Sequence, residues 1–233
     1  YLLIGFTTLP SVVKVGFILI AACPGGSASN LVAHLLRGNV ALCISLTALN
    51  SLLILITLPL IVNLALILFV GHTEDIRLSV SNTIVKIFFT TLLPTFIGIL
   101  VRARNVNLAD RLEKPMRYIM TIALFSVFAG IILFEESKVE SSVFDYLYIL
   151  PWAFVLNVSA MFAGLYFAKS MKLKHKDSYT ISVQVGLQNS ALAIYVAKSI
   201  LNNQEMAMVA VVYSSFTFFS TALFGYLAKK YLH

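Results

Sequence analysis

Hydrophobic positions in this chain occur in long uninterrupted stretches, separated by short polar segments. Within a stretch such as Leu52 to Phe69, apolar side chains would dominate every face of a helix. This pattern is typical of a helix surrounded by lipid, whereas a barrel strand would alternate over about 10 residues. About 20 helical residues cross a hydrocarbon core of about 30 Å. After a short tail at 1–7, we predict seven transmembrane helices at about 11–36, 39–70, 78–101, 118–134, 146–168, 179–200 and 206–228.

The composition supports a membrane protein and excludes a soluble globular domain. Hydrophobic residues make up 59% of the 233 residues, charged residues only 12%, and the mean hydropathy is +0.91. Soluble domains contain about 25% charged residues. The two cysteines, Cys23 and Cys43, both lie inside apolar stretches, where a free cysteine behaves as a small hydrophobic residue. We therefore expect one integral membrane domain without a disulfide framework.

The net charge of +7 reflects the topology of the chain in the membrane. Arg37 and the segments 102–117, 169–176 and 229–230 contain 12 of the 17 basic residues, and the intervening loops contain seven of the ten acidic residues. Lysine and arginine are retained on the cytoplasmic side of a membrane. This alternation predicts an inner (plasma) membrane protein with a cytoplasmic C-terminus. We expect no nucleic-acid partner, because no basic run has interleaved aromatic residues.

The first of two polar interruptions, Cys23 to Asn30, lies midway through an apolar crossing. It contains Pro24, which cannot donate a backbone hydrogen bond, followed by two glycines and a serine. A helix break at membrane depth is tolerated only inside the protein or beside a watery cavity. We predict a second half-helix that begins near Ser27, with its positive dipole end favouring an anion. The alternative is a kinked packing helix.

The second interruption, Ser182 to Ser190, has Gly186 at its centre and three amide side chains within six residues. Gln184 and Gln188 share one helix face if the helix is intact between them. If it unwinds at Gly186, neighbouring backbone carbonyls become available instead. Either arrangement gathers oxygen atoms, the ligands of a hard cation. The alternative is hydrogen bonding between packed helices.

Paired interruptions of this kind are the best sequence indication of a transporter site. The long stretch 39–70 is interpreted as one tilted helix bent at Pro59, with a re-entrant element as the alternative.

Both interruptions, together with the segment from Arg37 to Leu42, resemble the motifs of the bile acid:sodium symporter family, specifically its bacterial-type members. The resemblance extends along essentially the whole chain. It implies an all-α, inverted-repeat fold of ten helices, in which the fourth and ninth helices are unwound where they cross. The 233 residues would then form a single transmembrane domain holding the tail of helix three and helices four to ten. Core elements would lie at about 1–70 and 146–228 and panel elements at about 78–134, with the first quarter of the family fold missing.

The resemblance also implies two sodium sites and one substrate site. The first sodium site would use Ser29, Asn30 and Thr47, with Cys43 where the family has a hydroxyl and Gln184 where it usually has a shared glutamate. The second would use the side chain of Gln188 and the carbonyls of Val185 and Leu187. The substrate, an organic carboxylate, would contact Ser27 and Asn189, with Ser190 beside them. The residues of the last helix that carry groups suited to line the same cavity are Tyr213, Ser214, Ser215 and Thr217.

Gln184 is the most informative departure from the family pattern. Without a carboxylate, no matched ligand offsets the charge of two sodium ions, and a bare cation at mid-membrane is costly. Sodium coupling is then reduced to one ion, or lost in favour of uniport or proton-linked transport, or the substrate anion supplies the balancing charge. A change engineered to trap one conformation is a further explanation.

These observations predict a secondary carrier for an organic anion such as a bile acid, a pantoate-like acid or a sterol sulfate. No catalytic motif is present, and we expect neither enzymatic activity nor an organic cofactor. A seven-helix receptor or sensor is the rival from another class, and it would require continuous helices at Gly25 and Gly186. A second rival is a fragment that does not transport, because the early helices of the family fold would be absent.

Overall fold

The computed structural model describes residues 2–71, 80–89, 93–112 and 143–231, together with isolated positions between 115 and 126. The predicted crossing at 118–134 lies outside the described residues except at a few isolated positions. Elsewhere the description covers all or most of each predicted crossing.

The described parts of the chain are helical, which confirms the predicted all-α class. The N-terminal helices are α1 (Leu2–Gly5), α2 (Ser11–Ala22), α3 (Ser27–Leu35) and α4 (Val40–Phe69), followed by α5 (Val80–Ile87) and α6 (Leu93–Arg104). After a 3₁₀ segment at Val143–Ile149 come α7 (Leu150–Ser170), α8 (His175–Gly186), α9 (Ser190–Tyr195) and α10 (Gln204–Tyr231). A π-helical turn, Val196–Ile200, extends α9.

Three of these helical segments are long and apolar enough to cross a membrane: Val40–Phe69, Tyr146–Ser170 and Gln204–Tyr231. On α4 the side chains of Leu53, Ile56 and Leu60 are more than half exposed, whereas Ile54 and Leu58 are buried. A helix with large apolar side chains on its outer face is suited to lipid rather than water.

Pro59 lies inside α4, and the helix runs continuously past it. The interpretation of 39–70 as a single helix is therefore confirmed, and the re-entrant alternative is wrong. Asn39 begins this helix, because its side chain accepts a hydrogen bond from the Leu42 N–H at 3.1 Å.

The chain divides into two compact units. The first combines Tyr1–Val85 with Tyr146–His233 and contains both polar interruptions. The second, Lys86–Asp145, contains α6, whose side chains Phe96 and Ile99 are exposed. The predicted division into core and panel elements stays a prediction.

Both predicted helix breaks are present in the first unit. Helix α2 ends at Ala22, the chain is extended at Cys23 and Gly26, and α3 begins at Ser27 as predicted. Helix α8 ends at Gly186, and α9 begins at Ser190. The two breaks meet: Gly25 and Gln188 form an isolated antiparallel bridge, and the Asn189 N–H donates to the Cys23 carbonyl at 3.4 Å. The broken segments thus supply hydrogen-bonding partners for each other.

Close approach at this crossing depends on Gly25. A Cβ atom at this position would collide with the backbone oxygen of Gln184 and would lie 2.9 Å from its Nε2. Because the obstructing atoms include backbone, they cannot move aside as a flexible side-chain end would.

We therefore expect Gly25→Ala to separate the two breaks and to lower the free energy of unfolding by about 1–3 kcal/mol, the usual cost of overpacking. The measurement is the thermal unfolding midpoint of the purified protein in detergent. The matched control is Gly98→Ala on α6, where an added Cβ meets nothing within 4 Å. Equal midpoints for the two variants would contradict the required close approach.

Candidate ion and anion site at the crossed helix breaks

The residues of the first predicted sodium site come from three helices. Ser29 and Asn30 lie in the first turn of α3, and Cys43 and Thr47 lie one turn apart on α4. Gln184 lies near the end of α8. Ser29 and Cys43 are fully buried and Gln184 is 3% exposed, so these polar groups meet in the interior, although 155 residues separate Ser29 from Gln184.

Gln184 connects the members of this cluster. Its Oε1 atom accepts hydrogen bonds from the Ser29 hydroxyl and, at 2.9 Å, from the Cys43 thiol. Its Nε2 atom donates to Thr47 Oγ1 at 3.0 Å and to the Gly25 carbonyl at 3.4 Å. Both ends of the amide are therefore paired, as a buried amide requires.

The remaining groups of the cluster are also paired. The Thr47 hydroxyl lies 3.0 Å from the Cys43 carbonyl and 3.4 Å from Asn30 Oδ1, and the Ser29 hydroxyl lies 2.6 Å from the Gly26 carbonyl. A cation would require acceptor oxygens alone. Here the N–H groups of Gln184 donate to two oxygens of the cluster, the Thr47 hydroxyl and the Gly25 carbonyl.

The backbone at the second predicted sodium site distinguishes between its two predicted arrangements, an intact helix and a helix unwound at Gly186. Gln184 and Gln188 do not share a continuous helix face, because α8 ends at Gly186 and Gln188 lies on the extended crossover. The intact-helix alternative is therefore wrong, and unwinding occurs. The residues whose carbonyls are the predicted ligands, Val185 and Leu187, lie on either side of this helix end.

Gln188 has a different environment from Gln184. Its Oε1 atom is buried and accepts no hydrogen bond from any group in the described structure. A buried acceptor without a partner costs free energy in the absence of a ligand. The side-chain oxygen of Gln188 is therefore free to accept from or coordinate a ligand.

The predicted substrate residues lie at the crossing and on α10. Ser27 is the first residue of α3, and its side chain lies outside the described part of the structure. Asn189 begins α9, since its Oδ1 accepts from the Leu192 N–H at 3.1 Å, and Ser190 follows it. On α10, the Ser214 hydroxyl donates to the Val211 carbonyl of its own helix, and Thr217 is buried.

Sequence reasoning missed one polar residue beside the second break. Asn157 on α7 is fully buried and donates to the Gly186 carbonyl at 2.8 Å. The sequence feature that could have identified Asn157 is a single amide inside an apolar crossing, because polar side chains at membrane depth usually have a function. The hydroxyl of Tyr213 on α10 donates to the same carbonyl at 2.8 Å.

An all-helical membrane protein with two crossed helix breaks and buried polar groups at the crossing has the architecture of a secondary carrier. A model of the sodium bile acid symporter family matches residues 1–145. The chain belongs to this family of multi-pass membrane transporters, and the resemblance seen in its motifs is confirmed. The family's members named below are transporters rather than enzymes.

Several curated relatives extend the similarity along the chain. The probable sodium/metabolite cotransporter BASS1, chloroplastic, of Oryza sativa subsp. japonica is 30% identical over 92% of this chain and 50% of its own length. The uncharacterized sodium-dependent transporter YocS of Bacillus subtilis is 26% identical over 81% and 56%. The human sodium/bile acid cotransporter 4 is 25% identical over 96% and 51%. The chain spans about half the length of the curated relatives it matches.

The hydrogen bonds of Gln184 generate a stability prediction. In Thr47→Val the side chain keeps its shape but loses the oxygen that receives the Gln184 N–H, so we expect a loss of about 1 kcal/mol or more in the free energy of unfolding. The control is Thr57→Val on the same helix, where the exposed hydroxyl bonds only to its own helix at Leu53. Thermal unfolding in detergent compares the two, and equal midpoints would contradict a structural role for this bond.

Proposed function

We infer that this chain forms the ion- and substrate-binding part of a secondary carrier that moves an organic anion across the membrane, coupled to sodium. The observation that carries this proposal is the meeting of the two helix breaks at Gly25 and Gln188. Alternating access around such a crossing is the usual mechanism of carriers with paired broken helices. The inner membrane location, the cytoplasmic C-terminus and the core and panel roles belong to the same proposal.

An anionic substrate is supported by the helix ends at the crossing. Helix α3 starts at Ser27 and α9 starts at Ser190, so both helices begin beside the same contact. The first amides of a helix lack intrahelical partners and carry the positive end of the helix dipole. A carboxylate between these ends would be stabilised by both. Ser27 and Asn189 are the side chains proposed to contact it.

Coupling to one sodium ion is supported by the contrast between the two glutamines. In the Gln184 cluster, the side-chain oxygens of Gln184 and Thr47 and the carbonyl oxygen of Gly25 each receive a hydrogen bond, and the cluster has no carboxylate. Gln188 keeps a buried oxygen without a partner. We therefore assign the coupling ion to Gln188, with the carbonyls of Val185 and Leu187 as its further ligands. In this assignment the Gln184 cluster binds no ion, because the N–H groups of Gln184 donate to its oxygens.

The rival functions find less support. A receptor or sensor would require continuous helices at Gly25 and Gly186, and both helices are broken there. Proton relays within membranes usually consist of carboxylate or histidine side chains, whereas the side chains bonded to Gln184 are those of a serine, a threonine and a cysteine.

Uptake into proteoliposomes tests the carrier function. Purified protein is reconstituted in vesicles, and the uptake of radiolabelled cholate and pantoate is measured with an inward gradient of sodium or of potassium. Sodium-dependent uptake of either acid is the expected result. Binding of neither acid by calorimetry, together with no uptake in either gradient, would overturn the proposal.

We expect Gln184→Glu to create a second cation site. The substitution replaces the N–H groups directed at Thr47 and Gly25 with an acceptor oxygen and adds a negative charge. The apparent sodium affinity in calorimetry should rise about tenfold or more, which corresponds to about 1.4 kcal/mol. The control is Gln204→Glu, at the start of α10, which adds the same charge away from the crossing. An equal change in sodium affinity in both variants, or identical substrate affinity in sodium and potassium for both, would contradict the role of position 184 in cation binding.

For the anion, we expect Asn189→Ala and Ser27→Ala each to weaken binding of the transported acid about threefold to tenfold, because each removes one hydrogen bond to the acid. Asn189→Ala also removes the acceptor of the Leu192 N–H at the start of α9. Isothermal titration with cholate or pantoate, whichever is transported, measures the change. Ser170→Ala is the control, since this exposed hydroxyl at the end of α7 bonds only to the Phe167 carbonyl. Unchanged affinity in both site variants would place the substrate elsewhere.

A further inference from the structure

A second buried polar cluster lies behind the break in α8 and shares no side chain with the predicted ion sites. Its centre is the carbonyl oxygen of Gly186, the last residue of α8. Asn157 of α7 and Tyr213 of α10 both donate to this oxygen at 2.8 Å. Asn157, Tyr213 and the neighbouring Thr221 are all 0% exposed.

The Gly186 carbonyl would have another partner if the helix continued. In an unbroken α-helix it would accept the N–H of Ser190, four residues later. That N–H instead donates to the Gln188 carbonyl at 3.0 Å. A carbonyl oxygen has two lone pairs, and the donors from α7 and α10 fill both, so the break leaves this group satisfied although the helix has ended.

The orientation of Asn157 is itself determined by neighbours. The Ser220 hydroxyl donates to Asn157 Oδ1 at 2.6 Å, and Thr221 Oγ1 lies 3.3 Å from Asn157 Nδ2. With its oxygen held by Ser220, the amide presents its nitrogen to Gly186. Two residues of α10 thus control which end of the Asn157 amide faces the break.

The backbone beyond Gly186 leads directly to the proposed ligands. Within three residues the chain passes Gln188, which bridges to Gly25, and Asn189, whose N–H donates to the Cys23 carbonyl at the long distance of 3.4 Å. This hydrogen bond between the two breaks is therefore weak by itself. The two short hydrogen bonds at Gly186 are the stronger restraint on where this extended segment lies.

We propose that Asn157 and Tyr213 are positioning residues that hold the second helix break open, and thereby keep Gln188 and Asn189 in place for ion and substrate. Without these donors the Gly186 carbonyl would be unpaired at membrane depth, where lipid offers no substitute. The segment would then shift to bring the carbonyl another donor, and the Asn189 to Cys23 bond would be lost. The effect on binding rests on the proposed function, whereas the effect on the break does not.

The test uses Tyr213→Phe, which removes one donor and keeps the ring, and the double variant Tyr213→Phe with Asn157→Leu. The matched control is Tyr226→Phe, on the exposed face of the same helix. Ser182→Ala is a second control, because its buried hydroxyl joins α8 to the Met161 carbonyl of α7 without touching the break. Should the double variant fail to fold, Ser220→Ala replaces it and removes the bond that orients Asn157.

Two readouts are compared with the thermal midpoint of each variant: hydrogen–deuterium exchange of peptides covering 183–192, and calorimetric affinity for sodium and for cholate or pantoate. In Tyr213→Phe we expect exchange at 187–189 to accelerate at least tenfold and affinity to fall about tenfold, with a midpoint similar to that of Ser182→Ala. The double variant should show larger changes in both. Exchange and affinity that change only as much as in Ser182→Ala would overturn the proposal and reduce these bonds to ordinary packing.

The two proposals fail in distinguishable ways. If the unmodified protein binds neither sodium nor either acid, but exchange at the break still accelerates in Tyr213→Phe, the carrier proposal fails and the positioning role stands. If the unmodified protein binds its ligands, and Tyr213→Phe and the double variant match the controls in exchange and affinity, the positioning role fails and the carrier proposal stands.

Discussion

Every backbone N–H and C=O group at membrane depth must find its partner within the protein, because the hydrocarbon provides none. A helix satisfies this requirement by itself, but each helix break leaves backbone groups without a partner in their own helix. The two breaks in this chain meet it jointly: the Asn189 N–H bonds to the Cys23 carbonyl, and the Gln184 amide reaches the carbonyl of Gly25. Neither break could be buried alone without leaving polar backbone unpaired. Each of these two distant segments therefore depends on the other for its hydrogen-bonding partners. Gly25 permits the close approach that these bonds require.

The two glutamines of α8 and its crossover show how one side-chain type takes two roles. Gln184 is hydrogen-bonded to side chains on two other helices, α3 and α4, and acts as an internal connector. Gln188, four residues later, keeps a buried oxygen with no hydrogen-bond partner in the described structure. Their difference arises from the backbone: Gln184 precedes the helix end at Gly186 and Gln188 follows it. The same amide chemistry thus supports structure on one side of the break and is available to a ligand on the other.

Particular residues show how far sequence reasoning reached. The Pro-Gly-Gly run predicted the first break and the start of α3 at Ser27, because these residue types cannot sustain a helix. Resemblance to the family brought together Ser29, Cys43, Thr47 and Gln184, which are hydrogen-bonded in the structure. It did not reveal Asn157, since one asparagine in an apolar helix does not indicate which carbonyl it will meet. Spacing alone also does not decide whether Gln184 and Gln188 share a helix face.

The sequence alone predicted the membrane environment, the helical class, the positions of both breaks and the residue types gathered there. These are local properties, set by hydropathy over a helix length and by the backbone limits of proline and glycine. Tertiary structure alone decided which donors meet which acceptors: that the Gln184 amide is paired at both ends, that the Gln188 oxygen has no partner among the described residues, and that α7 and α10 supply the donors for Gly186. Hydrogen bonds form over about 3 Å between segments separated by up to 193 residues, and no local pattern in the chain encodes such a distance.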